Sequence, residues 1–239
     1  MSDKLENIYT KEFIRTAALD VDLIELRREC AQLTAKVFGI SGEALHVGGH
    51  IIGSDRSYEE SPFGHGSDET VAVSLLLRIG SQLVSASNDL FSDGRHYAAA
   101  ALLRQLVEIE YLAWAFETRD EDAKTWLRST KSERMQFFSP KKLRDVSDGR
   151  FRGKDYGYHC ELGGHPVPNS GILLSKDKAY AQLLLSDLLG HTSRIWGHVA
   201  TWANDNSYSE ILHNQHNQMT EKYSEWKKRD PLVDLPPPQ

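Results

Sequence analysis

The sequence predicts an all-α bundle of five or more helices, because apolar residues recur every three or four positions along most of its 239 residues. No segment shows the alternation of strand and helix that is typical of a parallel sheet. Glycine-rich stretches at 39–67 and 147–171 interrupt the helical pattern, and we expect two long loops there. We expect residues 1–230 to form one helical domain, followed by a flexible proline-rich tail at 231–239.

The first half of the chain predicts four helices. An amphipathic helix over 3–16 precedes a helix over 20–38 with one apolar face, which we expect to end at Gly39. Ser67 is the predicted N-cap of the third helix, because a hydroxyl there accepts from the first-turn amides and two carboxylates follow it. The helix over 95–118 is apolar nearly all round, which is typical of a central helix surrounded by others.

The second half predicts shorter amphipathic helices over 119–146, with Ser139 and Pro140 as a helix start. A long helix over 175–204 and a final helix over 207–229 follow the second glycine-rich stretch. The prolines of the tail cannot continue the final helix, because proline lacks the amide hydrogen that a helix needs.

Composition excludes several classes of protein. A net charge of −6 and a pI near 5.9 argue against a broad basic surface for duplex nucleic acid. Two cysteines, Cys30 and Cys160, cannot build a disulfide framework. The longest apolar stretch, 97–107, is interrupted by Arg104 and is shorter than the ~20 residues that span a bilayer. No secretory signal is evident, so we expect a cytoplasmic protein without a membrane partner.

Arg104 and Glu108 are the first candidate site, because they lie four residues apart on the apolar central helix. A charge on a buried helix is costly unless it is paired. In a functional interpretation, Arg104 holds a phosphate or carboxylate and Glu108 positions a partner. In the alternative, the two form a structural salt bridge that ties the bundle together.

Two histidines in the second glycine-rich stretch, His159 and His165, are the second candidate. Imidazole titrates near neutral pH, so the pair can serve as general acid and base in phosphodiester cleavage. The accompanying phosphate- and base-binding candidates are Arg150, Arg152, Lys154, Tyr156 and Tyr158. In the alternative, this segment is a capped turn in which His165 hydrogen-bonds a helix end.

The long helix after residue 175 carries a third candidate, a polar stripe that includes Asp187, His191, Arg194 and His198. Such a stripe can form the wall of a cleft in which Asp187 orients His191. Alternatively, it is the solvated face opposite the core.

Two groups of residues are candidate metal ligands. One is His46, His50 and His65, and the other is His159, Cys160 and His165. Neither group matches a specific ligand framework, because no paired-cysteine or His-Glu-x-x-His motif is present. We therefore expect no bound metal and no cofactor.

Three short motifs carry a resemblance to a known group of proteins. They are the helix Arg104-Gln-Leu-Val-Glu108, then Trp126, and later Leu162-Gly163-Gly164-His165-Pro166. These motifs are similar to those of bacterial and phage-associated helical proteins that combine an Arg-x-x-x-Glu helix with a later histidine element. Over about residues 70–205 that family resembles the HEPN superfamily.

The resemblance implies a HEPN-like bundle, often a homodimer. Many HEPN proteins are metal-independent ribonucleases of toxin–antitoxin and abortive-infection systems, and they pair an arginine with a histidine at a dimer cleft, with four to six residues between the two. Arg152 and His159 match that spacing, whereas Arg194 and His198 are one residue too close.

The leading hypothesis is therefore a cytoplasmic endoribonuclease of a toxin or phage-defence system, with RNA as substrate and an antitoxin or other protein as partner. Arg104 and Arg152 bind phosphate, Glu108 positions a partner, and His159 and His165 transfer protons. The alternatives are a non-enzymatic helical interaction module with structural charged pairs, and a small-ligand or metal-binding bundle.

Overall fold

The computed structural model describes residues 2–51, 67–119, 121–175 and 177–233, with side chains described from residue 11 and not at 50–51. These residues form ten α-helices and no strand, which confirms the predicted all-α bundle of five or more helices. The helices are α1 (Ser2–Leu19), α2 (Val21–Ile51), α3 (Asp68–Ser92), α4 (His96–Thr118), α5 (Asp122–Arg128), α6 (Lys131–Phe137), α7 (Pro140–Asp145), α8 (Gly153–His159), α9 (Lys178–Asp205) and α10 (Ser209–Arg229). A π-helical turn (Cys160–Gly164) and a 3-10 helix (Pro168–Leu174) connect α8 to α9.

Helix α4 lies at the centre, as its apolar sequence predicts, and α3, α9, α8, α7 and the π-helical turn pack around it. Its Leu103 and Leu106 are almost fully buried, together with Leu77 of α3 and Leu188 of α9. Burying each such leucine contributes about 1.5–3 kcal/mol. The predicted helix starts at Ser67 and at Ser139 are also confirmed, and the Ser67 hydroxyl accepts from the amide of Thr70.

The predicted end of the second helix at Gly39 is wrong, because α2 continues to Ile51. The glycines in this part of α2 allow α3 to approach closely. A Cβ atom at Gly42 would lie 2.6 Å from Cγ of Arg78 and 3.1 Å from the carbonyl oxygen of Ser74. The rest of the predicted loop, residues 52–66 with His65, lies outside the described residues, as does the side chain of His50.

The second predicted loop, 147–171, is largely short helices rather than irregular chain. Its glycines let the π-helical turn lie directly on α4. A Cβ atom at Gly163 would clash with the backbone of Ala100 and Ala101. Glycine therefore marks a close contact here and not only a break in helical structure.

A buried ion pair joins the beginning of α2 to the end of α10. Arg27 and Asp230 are both fully buried, and Nε and Nη2 of Arg27 donate to the two carboxylate oxygens at 2.7 and 2.8 Å. Trp226 donates to the same carboxylate at 2.8 Å, and Arg27 also donates to the carbonyl oxygen of Ala17 in α1. The sequence analysis did not identify this pair, because its members are 203 residues apart.

Helix α3 is the one helix of the described residues that is long and apolar enough to cross a membrane. Its most apolar window has a mean hydropathy of 1.3, and 56% of that window is buried within the protein. Because α2, α4 and α5 pack against it, α3 behaves as a core helix.

The two cysteines differ in environment, which predicts different reactivities. Cys30 is fully buried, and burial raises the pKa of its thiol to about 12, whereas Cys160 is partly exposed. Since the thiolate is the reactive form, we expect an aromatic disulfide reagent to modify one thiol rapidly in the native protein and the second only after unfolding. Cys160→Ser should remove the rapid phase and Cys30→Ser should retain it. A rapid phase that survives in Cys160→Ser contradicts this assignment.

Candidate functional site

Glu110 of α4 and two residues of α9 form a polar cluster in which Glu110 and His191 are buried and Arg194 is exposed. Nδ1 of His191 lies 2.6 Å from one carboxylate oxygen of Glu110, and Nε of Arg194 donates to the other oxygen at 2.7 Å. Burial by itself raises the pKa of Glu110, but His191 and Arg194 outweigh it and lower that pKa to about 2. Glu110 is therefore a carboxylate at neutral pH and holds both neighbours in place.

The contact with Glu110 places a hydrogen on one ring nitrogen of His191. An ionised carboxylate only accepts hydrogen bonds, so Nδ1 of His191 carries a hydrogen and donates a hydrogen bond to Glu110. Nη2 of Arg194 is 2.8 Å from the same Nδ1, but the contact with the carboxylate is shorter and favoured by charge. The remaining nitrogen, Nε2 of His191, is directed away from Glu110.

His159, the last residue of α8, faces Nε2 of His191. Its Nε2 lies 3.2 Å from Nε2 of His191, and the two rings are inclined at 72°. Asp187 lies beside both, with one oxygen 3.5 Å from Nε2 of His191 and the other 3.7 Å from Nε2 of His159. Burial lowers the pKa of His159 to about 4 despite nearby Asp187, so this imidazole is neutral at pH 7.

A cavity of about 320 Å³ opens beside the cluster. It is lined by Val107, Glu110, Tyr111, Arg150, Phe151, Arg152, Asp155, His191 and Arg194. Three guanidinium groups thus face two carboxylates, and the aromatic ring of Phe151 stacks on Tyr111 at 4.0 Å. Guanidinium groups bind phosphate oxygens well, so the cavity offers both a phosphate site and an aromatic wall.

Helix α8 explains why the predicted Arg152 and His159 belong together. Seven residues correspond to two helical turns, so the two residues lie at opposite ends of α8 on the same side. Arg152 is exposed at the cavity, and within the described part of the chain its guanidinium forms no ion pair. His159 is buried beside His191, which lines the same cavity.

The two histidines in the polar stripe of α9 are buried against neighbouring elements, whereas Asp187 is partly exposed and Arg194 is exposed. His191 and His198 are only 8% and 6% exposed, so the alternative of a solvated face is wrong for both. His198 pairs with Glu117 of α4 through Nδ1, and Arg150 lies 3.2 Å from its Nε2. Asp187, His191 and Arg194 belong to the cluster, whereas His198 anchors Arg150 at the edge of the cavity.

Arg104 and Glu108 belong to a different contact. The hydroxyl of Tyr156 accepts from Arg104 at 3.2 Å and donates to Glu108 at 2.8 Å, so that α8 is tied to α4. Burial and Glu108 raise the pKa of Tyr156, which keeps the hydroxyl protonated. The arrangement fits the structural alternative for this pair. His165 is exposed, and the described contacts include no hydrogen bond from its side chain to Arg104 or Glu108.

The remaining predicted residues separate into an exposed and an enclosed group. Lys154 is exposed on α8 and does not line the cavity. Tyr158 is hydrogen-bonded to Tyr180 and contacts His159 edge-on, so its ring packs inside the protein. Sequence reasoning missed Glu110, although a lone carboxylate between Ile109 and Tyr111 on an apolar helix was a signal for it.

Comparisons with protein-family models, with curated proteins and with solved structures give no match to this chain. The similarity to the HEPN superfamily therefore rests on the sequence motifs alone.

Proposed function

We propose that the protein cleaves phosphodiester bonds of single-stranded RNA in the cavity between α4, α8 and α9. The observation that carries the proposal is the position of Arg152 and His159. They share one side of α8, where Arg152 lines the cavity and His159 contacts His191. The arginine–histidine spacing of HEPN ribonucleases supports the same assignment.

The chemistry of the cavity fits such a substrate. Arg152 and Arg194 bind the phosphate that is cleaved, and His191, which lines the cavity and contacts the buried His159, supplies the reactive imidazole next to it. Phe151 and Tyr111 are buried and stacked on each other, so they form an apolar wall beside the arginines. A net charge of −6 favours a single strand held locally over a duplex bound along a broad basic surface.

The test is cleavage of a fluorescently labelled single-stranded RNA by the full chain. We expect His191→Asn to lower the rate by about 100-fold or more, which is the usual contribution of a positioned acid–base group. Arg152→Ala should weaken RNA binding and slow cleavage. His213→Ala is the matched control and should cleave like the wild type, because His213 is exposed on α10 and its one hydrogen bond to the described residues is with Asn217.

Two results would contradict the proposal. One is a wild-type protein that does not cleave RNA, which favours the non-enzymatic interaction module. The other is cleavage that His165→Ala abolishes and His191→Asn leaves intact. That result assigns the reaction to His165, the histidine of the sequence motif. The toxin or phage-defence role, the cytoplasmic location, the antitoxin partner and the homodimer stay predictions.

A further inference from the structure

Three side chains with metal-binding atoms meet at one point below the cavity. They are His159 of α8 and Asp187 and His191 of α9, which lie one turn apart on their helix. The three donor-atom distances are 3.2 Å between the two imidazole nitrogens and 3.5 and 3.7 Å from these nitrogens to the carboxylate. Metal–ligand bonds of about 2.1 Å at tetrahedral angles place donor atoms about 3.4 Å apart.

We propose that His159, Asp187 and His191 bind one divalent transition-metal ion of the zinc type. Two imidazole nitrogens with one carboxylate are typical ligands for Zn²⁺, Co²⁺ or Ni²⁺, whereas Mg²⁺ and Ca²⁺ prefer oxygen ligands alone. Three protein ligands leave a fourth position open, as in catalytic rather than structural sites.

The hydrogen bonds around the three residues favour a cation between them. His191 uses its Nδ1 hydrogen on Glu110, so its Nε2 is directed towards His159 and lies 3.2 Å from Nε2 of that residue. One buried carboxylate oxygen of Asp187, Oδ2, has no hydrogen-bond partner among the described residues. Buried polar atoms are rarely left unpaired, and a metal ion between the three side chains provides this oxygen with a partner and binds both imidazole nitrogens.

The surroundings also resemble those of a metal ligand. Metal-binding histidines commonly donate their other ring hydrogen to a carboxylate, as His191 does to Glu110. The charges nearest the three ligands are the carboxylates of Asp187 and Glu110 and the guanidinium of Arg194. The charges of these three groups sum to −1, and this net negative charge attracts a divalent cation.

This inference deepens the proposed function but does not rest on RNA being the substrate. A metal ion held by His159, Asp187 and His191 would supply an activated water molecule for attack on a phosphate bound by the arginines. In that case cleavage depends on metal, unlike the metal-independent cleavage that the HEPN resemblance implies. The expectation of no bound metal is then replaced by one ion per chain.

The experiment measures metal binding without RNA. Protein is stripped with a chelator and titrated with Zn²⁺ by calorimetry, and Co²⁺ is added separately to record the visible bands of a tetrahedral site. We expect one ion per chain for the wild type. Asp187→Asn, which keeps the shape of a partly exposed side chain, should weaken Zn²⁺ binding at least 100-fold. Glu110→Gln should weaken it about 10- to 100-fold, and His213→Ala should bind like the wild type.

Either of two outcomes overturns the metal site. One is a wild type without stoichiometric Zn²⁺ binding, and the other is an Asp187→Asn variant that binds Zn²⁺ as tightly as the wild type. Circular dichroism of the stripped variants checks that they are folded. RNA cleavage by the metal-free protein overturns the dependence of cleavage on metal and leaves the proposed function intact. Zn²⁺ binding without RNA cleavage supports the metal site and overturns the proposed function.

Discussion

Asp230→Ala is expected to lower the free energy of unfolding by about 3–5 kcal/mol, because it leaves the charge of Arg27 buried without its partner. Arg27 is fully buried and donates two hydrogen bonds to Asp230. Its further contacts, with the carbonyl oxygen of Ala17 and with Gln182, are neutral and cannot replace the lost carboxylate. The indole of Trp226 loses its acceptor as well.

Urea denaturation followed by tryptophan fluorescence measures this loss, and Arg229→Ala is the matched control. Arg229 is the adjacent residue, but it is exposed and pairs only with Glu225 on the surface of α10, so its removal should leave the unfolding midpoint close to that of the wild type. The double variant Arg27→Met with Asp230→Leu should recover much of the loss, since it buries no charge. A loss below 1 kcal/mol in Asp230→Ala would show that Arg27 finds another partner.

Gly163→Ala is expected to destabilise the protein by about 3 kcal/mol, at the upper end of the cost of overpacking. The added Cβ atom would clash with the backbone of Ala100 and Ala101, and a backbone cannot move aside as a flexible side chain does. The π-helical turn must therefore move away from α4. Since His159 directly precedes this turn, we also expect weaker Zn²⁺ binding and slower RNA cleavage.

Gly157→Ala provides the control in the neighbouring helix. Its added Cβ atom meets no atom within 4 Å, and alanine favours helix more than glycine does. We expect this variant to be as stable as the wild type or slightly more stable. Thermal denaturation of the two variants side by side distinguishes a clash at one position from a general intolerance of alanine in this segment. Equal stability of both variants would refute the close contact at Gly163.

Much of the fold could be predicted from the sequence, because periodicity and capping are local properties. The apolar circumference of α4 identified the central helix, and Ser67 and Ser139 identified two helix starts. Glycine was misleading at Gly39 and in the second glycine-rich stretch. In both places helical structure continues because a neighbouring helix packs closely, and a single sequence does not show that distant contact.

The site was predictable residue by residue but not as an arrangement. Arg152 and His159 stood out in the sequence as one candidate group, and Asp187 and His191 stood out as another. The groups were divided incorrectly, because the contact of α8 with α9 that joins His159 to His191 spans 32 residues and leaves no local pattern. Glu110 was hidden for a related reason, since its partners lie more than 80 residues away on α9.

The ion pair between Arg27 and Asp230 also determines when the chain can finish folding. During synthesis Arg27 leaves the ribosome 203 residues before its partner. Arg27 in α2 therefore has no carboxylate partner while the helices between it and Asp230 are synthesised. Long-range contacts of this kind are costly to close early, so the pair forms late. We expect nascent chains that stop before Asp230 to be protease-sensitive even when α2, α3 and α4 are complete.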